Sequence, residues 1–180
     1  MLKQLSLSIF ITMFFVLLGA QQSYGQSTKE NQLISSFFLE KNVKKKHSRL
    51  MALGEYYKVN NIQKADSIRH IILDKSINFE DSIRFNALFY SAEITLLIGD
   101  QDDYFKSILA CQPFLNKLNS DDVQFKLFRH LGYYHSSMQE FQTADFYLKL
   151  AIKLAEKERN NQKLSEAYSY LSLNFMSANM

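Results

Sequence analysis

Residues 125–158 read FKLFRHLGYYHSSMQEFQTADFYLKLAIKLAEKE. Two helical stripes are visible. Phe128, Leu131 and His135 recur at intervals of three and four, and so do Ala144, Leu148 and Ala151; these spacings put each set on one face of a helix. Between them lies Met138-Gln139-Glu140, where the first pattern stops. The stretch therefore predicts a helical hairpin with small residues at Gly132, Ala144 and Ala151, where a second helix can approach closely.

Moving outward by 40 residues finds the same chemistry again. Leu88, Phe128 and Tyr168 are large, Ala92, Gly132 and Ser172 are small, and Thr95, His135 and Phe175 come three later. Ile108 matches Leu148, and Cys111 matches Ala151. An earlier copy fits if the offset slips between 40 and 39, with Ala52, Tyr56, Ile62, Ala65 and Ile72 in the equivalent places. The whole reads as three hairpins and the first helix of a fourth. A single hairpin cannot bury both of its apolar stripes, so neighbours must stack.

Phe128, the Leu131-Gly132 pair, Phe141, Ala144, Leu148 and Ala151 resemble the tetratricopeptide repeat. They fall on its fourth, seventh, eighth, seventeenth, twentieth, twenty-fourth and twenty-seventh positions. His135 replaces the usual aromatic at eleven, and Glu156 stands where proline is common. In the other copies Tyr104 replaces the alanine at twenty and Arg69 sits at an apolar place. The unit is longer than the usual length of about 34 residues and resembles long-helix variants. The resemblance implies an all-α fold, a right-handed α-α superhelix of such hairpins over 43–180, about three and a half repeats long.

The pattern predicts helices over 30–40, 43–59, 62–75, 80–98, 101–117, 121–138, 141–157 and 162–178. Asp81 and Asp121 are the expected N-caps. Gly99-Asp100 and Arg159-Asn160-Asn161 are the expected turns. Pro113 should kink or end the helix that holds Cys111. Residues 26–42 form a polar leader whose second part, Asn31 to Leu39, packs as an N-terminal cap. Only five glycines and one proline occur in 180 residues, and two of those glycines lie in the first 25; so few breakers suit helices better than many short strands.

Residues 1–25 read as a secretory signal peptide. Lys3 supplies a positive start, Leu5 to Ala20 is apolar apart from Ser6, Ser8 and Thr12, and Ser23-Tyr24-Gly25 offers small residues at a cleavage site. The competing reading is an uncleaved membrane anchor, though the run is shorter than the roughly 20 residues of a spanning helix. Export, and a periplasmic location, follow from the first reading, and membrane contact through this segment follows from the second. The one cysteine, Cys111, cannot form an intramolecular disulfide and occupies an alanine-like place in the repeat.

Net charge is +3, and removal of residues 1–25 takes away one positive charge, so the basic pI does not argue for nucleic acid. Lys44-Lys45-Lys46, with His47 and Arg49, is either the solvated start of a helix or a contact with a membrane surface.

Catalytic motifs are lacking in the sequence: no glycine-rich phosphate loop, no His-Glu-x-x-His and no Gly-x-Ser-x-Gly. His130 and His135 stand five apart, on different faces of a helix, where metal-binding pairs prefer three or four. Asp100, Asp102 and Asp103 superficially resemble a calcium loop but lack its terminal Glu. These observations point away from an enzyme and imply no cofactor or metal.

In the family that this chain resembles, the first helix of each pair lines a concave surface. The resemblance places Tyr57, Phe89, Glu93, Leu96, Arg129, Tyr133 and Ser136 there. The implied function is an exported scaffold that binds a protein or peptide. A second function fits the same arrangement: the periplasmic sensory portion of a membrane-bound signalling regulator, such as a histidine kinase or a transcriptional regulator. The sequence given stops at Met180, after the first helix of the fourth unit, with Leu171, Leu173, Phe175 and Met176 on its apolar side. Solenoids usually end on a polar cap, so this face is expected to pair with another chain, by self-association, or with a further segment.

Overall fold

A computed structural model describes residues 28–178. Among them are eight α-helices, one short 3-10 helix and no strand: α1 (Thr28–Leu39), α2 (Val43–Asn60), α3 (Ile62–Ser76), α4 (Asp81–Ile98), α5 (Gln101–Cys111), the 3-10 turn Gln112–Leu115, α6 (Asp121–Ser137), α7 (Phe141–Lys157) and α8 (Asn161–Ala178). The signal-peptide reading of residues 1–25 lies outside the described residues. No helix among the described residues is long and apolar enough to cross a membrane.

Local chemistry sets the boundaries. Asn42, Asn61 and Asp100 cap α2, α3 and α5, their side-chain oxygens accepting from Lys45 N, Lys64 N and Asp103 N at 3.0, 3.0 and 3.1 Å. The expected caps Asp81 and Asp121 are one residue too late. Glu80 and Ser120 are the N-caps, Ser120 accepting from Val123 N, and the two aspartates occupy the first turns. There they face the positive end of the helix dipole. Asp100 thus caps a helix, and Asp103 pairs with Lys106 at 3.0 Å. As Pro113 demands, α5 ends at Cys111 and gives way to the 3-10 turn, six residues short of the expected 117.

The turns inside the hairpins repeat. Gly99 ends α4 in the left-handed region at φ 84°, with Gly99 N donating to Leu96 O and Asp100 N to Thr95 O. Gln139, 40 positions on, ends α6 at φ 60°, with Gln139 N donating to Ser136 O and Glu140 N to His135 O. Arg159 repeats the pattern after α7 at φ 52°. The same closing geometry therefore recurs with and without glycine.

Each helix packs chiefly on its neighbours in the chain, and α6 also touches α8. The ion pair of Lys157, at the end of α7, with Asp121, at the start of α6, shows that this pair runs antiparallel. Three apolar cores result among the described residues. The first joins Phe37 of α1 to Leu50, Leu53, Ile72, Tyr90 and Ile94. The second joins Phe85 and Phe89 of α4 to Tyr104, Ile108, Cys111, Phe114, Leu127 and Leu131. The third joins Phe125 of α6 to Ala151, Ile152, Ala155 and Ala167. Helices α4 and α6 each give side chains to two cores, and this interlocks the hairpins. The segment 31–39 packs as an N-terminal element, with Phe37 buried and Leu33 and Ile34 beside it.

Close approach occurs where a side chain is missing. A Cβ on Gly132 would lie 2.5 Å from Leu148 Cγ. Ala92, its equivalent 40 residues earlier, is fully buried. In the first hairpin the expectation fails: Ala52 is exposed, and Gly54, two positions on, lies against Tyr90 and Ile72. The offset slips further in α2 than the sequence pattern suggested, because Leu53 rather than a small residue fills the core there. Ser172 and Tyr168 are exposed, as are Leu173 and Met176.

Candidate functional site

The first helices of the hairpins, α2, α4, α6 and α8, line two adjoining cavities. The larger, about 540 Å³, is bounded by α2, α4 and Lys126 of α6. The smaller, about 320 Å³, is bounded by α4, α6 and α8. Phe89, Glu93 and Lys126 line both, so the two form one groove across the four helices.

Its floor is apolar, built from Met51, Ile83, Phe89 and Tyr90. Phe89 is buried and meets the His130 ring edge-on at 5.0 Å, while stacking on Phe85 at 5.6 Å. The rim is charged and nearly balanced. Lys58 holds both Glu55 and Glu93, at 2.6 and 2.7 Å. Burial pushes the Lys58 pKa down, but the hydrogen bonds of the two carboxylates outweigh it and hold the ammonium above its usual range. Lys126 and Lys163 both reach Asp122, at 2.8 and 3.0 Å. Burial alone would raise the Asp122 carboxyl, yet its two lysines bring it below the usual range.

Beneath the second cavity runs a buried polar chain. Arg129 pairs with Glu166 of α8 and donates through Nη2 to His130 Nε2 at 2.9 Å. A guanidinium can only donate, so His130 Nε2 is the bare acceptor and Nδ1 carries the proton. That N–H then donates to the Tyr104 hydroxyl at 2.9 Å. Burial, with the Arg129 charge beside it, pushes the His130 pKa down to about 3, so the ring is neutral. Tyr104, which replaces the small residue of its repeat position, is fully buried and joined to α6 through this bond.

Three of the seven expected binding residues, Phe89, Glu93 and Arg129, line the groove. The other four line neither cavity. Tyr57 is buried and donates to Glu30 of α1 at 2.8 Å, so its hydroxyl docks the N-terminal helix. Leu96 packs into the second core. Tyr133 sits half-buried between Tyr104 and Tyr170, at 5.7 and 5.8 Å. Ser136 is half-buried near the end of α6. His135 stacks flat on Tyr147 at 5.3 Å, as its aromatic-like place in the repeat implied. Arg69, at its apolar place, is buried and satisfied by Asp66 at 2.8 Å and by the Ser91 hydroxyl. Cys111 is fully buried, and burial pushes its thiol up to about 12.

Sequence reading missed Met51, Asn86 and Lys126. A signal for two of them was present: Asn86, Lys126 and Glu166 are successive 40-residue equivalents, and all three line the groove. Comparison with protein-family models, curated proteins and solved structures finds no match for this chain.

Proposed function

We propose that this chain is an exported scaffold whose helical hairpins form a right-handed, tetratricopeptide-like superhelix and whose first helices hold a protein or peptide partner. The observation that carries the reading is the continuous groove along α2, α4, α6 and α8. The cores shared by successive hairpins and the turns at Gly99 and Gln139 support the repeat. An apolar floor with a balanced, pre-paired rim suits an extended peptide or a helix that brings apolar anchors between polar flanks. It suits a polyanion poorly, because nearly every rim cation already has a carboxylate.

Peptides selected from a display library against the full chain test this. Asn86 is exposed and lines the larger cavity, and Lys106 is exposed on α5, outside both cavities. Met51→Glu with Asn86→Arg should weaken the selected peptides at least roughly ten-fold, a single fully lost anchor being worth about 2 kcal/mol. Lys106→Glu should leave them unchanged. Equal loss in both variants, or none in either, would remove the groove from the account.

A further inference from the structure

We infer that one end of the helical stack, formed by the turn between α1 and α2 and the turn between α3 and α4, docks on an anionic lipid surface. The two turns are held together. Lys44 Nζ reaches Glu80 Oε1 at 2.8 Å, and the His47 ring lies 5.2 Å from that of Phe79. Three aliphatic side chains project from this end into solvent: Leu39 at 79% exposure, Val43 at 71% and Ile77 at 64%. Single exposed apolar residues are ordinary, but these three share one end with a run of cations.

Lys41, Lys44, Lys45, Lys46, Lys75 and Arg84 belong to the same two turns and the helix ends beside them, against Glu40, Asp74, Glu80 and Asp81. Glu80 is already taken by Lys44, and its pKa is lowered by that hydrogen bond. The excess is therefore positive. It is also placed against local preference: the first turn of α2 carries three lysines and no acid, at the end of a helix where the dipole favours anions. The first helices α4 and α6 instead open on aspartates, and Asp81 of α4, at this same end, is paired with Arg84 at 3.2 Å.

Aliphatic tips set among lysines match the chemistry of a bilayer interface. The tips enter the boundary between headgroups and acyl chains while the ammonium groups meet lipid phosphates. Nucleic acid would offer the same phosphates, but the most exposed apolar side chains here, Leu39, Val43 and Ile77, are aliphatic, and the rings at this end are already engaged, Phe79 by His47 and Phe38 by Phe37. Of the aliphatic tips and lysines named here only Lys44 also lines the groove, so the contact stands whether or not the peptide-binding reading does.

The test places a polarity-sensitive nitrobenzoxadiazole label on the full chain at Val43→Cys, at Ile77→Cys and, as control, at Val59→Cys, an exposed site at the far end of α2. Cys111 is fully buried, so labelling goes to the introduced thiol. Vesicles are phosphatidylcholine alone, or phosphatidylcholine with phosphatidylglycerol. The expected result is a several-fold rise and a blue shift at positions 43 and 77, with anionic vesicles only, reversed by high salt, while position 59 stays constant. Lys41→Glu with Lys45→Glu in the Val43→Cys chain should weaken vesicle binding by roughly five-fold per lysine. An equal response at all three sites would mean attachment through another part of the chain. A response to neutral vesicles would remove the electrostatic contact. A response at position 43 to a DNA duplex as strong as that to anionic vesicles would make phosphate of another source the ligand. Each of these results, or no change at all, overturns the inference.

Discussion

Replacing Gly132 by alanine sets two effects against each other. In a helix interior, alanine is favoured over glycine by about 1 kcal/mol, so an exposed site would become more stable. Here the new Cβ would stand 2.5 Å from Leu148 Cγ and 2.6 Å from its Cδ2, against an ordinary carbon contact of about 3.5–4.0 Å. Leu148 is fully buried, and Ala144 and Ala151 on the same helix face are fully buried too. The clash involves the branch point of the side chain, so rotation of a flexible tip does not relieve it; α6 and α7 must separate by about 1 Å. Overpacking of this kind costs about 1–3 kcal/mol, and the net expectation is a loss of up to about 2 kcal/mol. Urea unfolding followed by far-ultraviolet circular dichroism measures it. Leu148→Ala alone should cost about 2–5 kcal/mol. In the Gly132→Ala background it should cost less, with a coupling of about 1–2 kcal/mol. A Gly132→Ala protein more stable than the parent, with additive effects in the double variant, would refute the close approach and the repeat alignment built on it.

Other outcomes follow from the same contacts. Gln139→Gly should stabilise the chain by about 1 kcal/mol, because a non-glycine residue at φ 60° is strained, and Gly99→Ala, at φ 84°, should destabilise it by a similar amount; thermal melts decide both. His130 is neutral when folded and takes up a proton below pH 6.5 when unfolded. Stability should therefore fall as pH drops from 6.5 toward about 3, by about 1 kcal/mol between pH 7 and pH 5.5. His47, also lowered by burial, adds to the same trend. His130→Gln should lose its share of the slope, and an unchanged slope in denaturant titrations at the two pH values would contradict the buried neutral ring.

Much of the fold was legible because the cores use repeated residue types. Gly132, Ala144, Leu148 and Ala151 form a dense pattern, and the helices they predict match the observed ones to within a residue or two. The first hairpin was harder. Its copy drifts, Ala52 faces solvent, and Gly54 makes the close approach instead, a slip that one-dimensional spacing does not reveal. The caps at Glu80 and Ser120 were misplaced because acids follow them in the first turn, where the dipole favours acid as well.

The groove was only partly legible. Phe89, Glu93 and Arg129 share stripes that an aligned repeat exposes. Tyr57 lies on an equivalent stripe, but α1 covers it through Glu30, and that partner comes from outside the repeat. Tyr133 was diverted by the aromatic cluster around Tyr104, which exists because this chain places a tyrosine where its other hairpins carry alanine. Asn86 and Lys126 were overlooked as ordinary polar surface.

The central claim is that the groove of the first helices is where a partner sits. A photo-crosslinking benzoylphenylalanine at Asn86, in the groove, and at Leu109, exposed on α5, tests it with a selected peptide. The account predicts an adduct at position 86, mapped to the peptide by mass spectrometry, and none at 109. An adduct at 109 with none at 86 would place the partner on the opposite helices and contradict it.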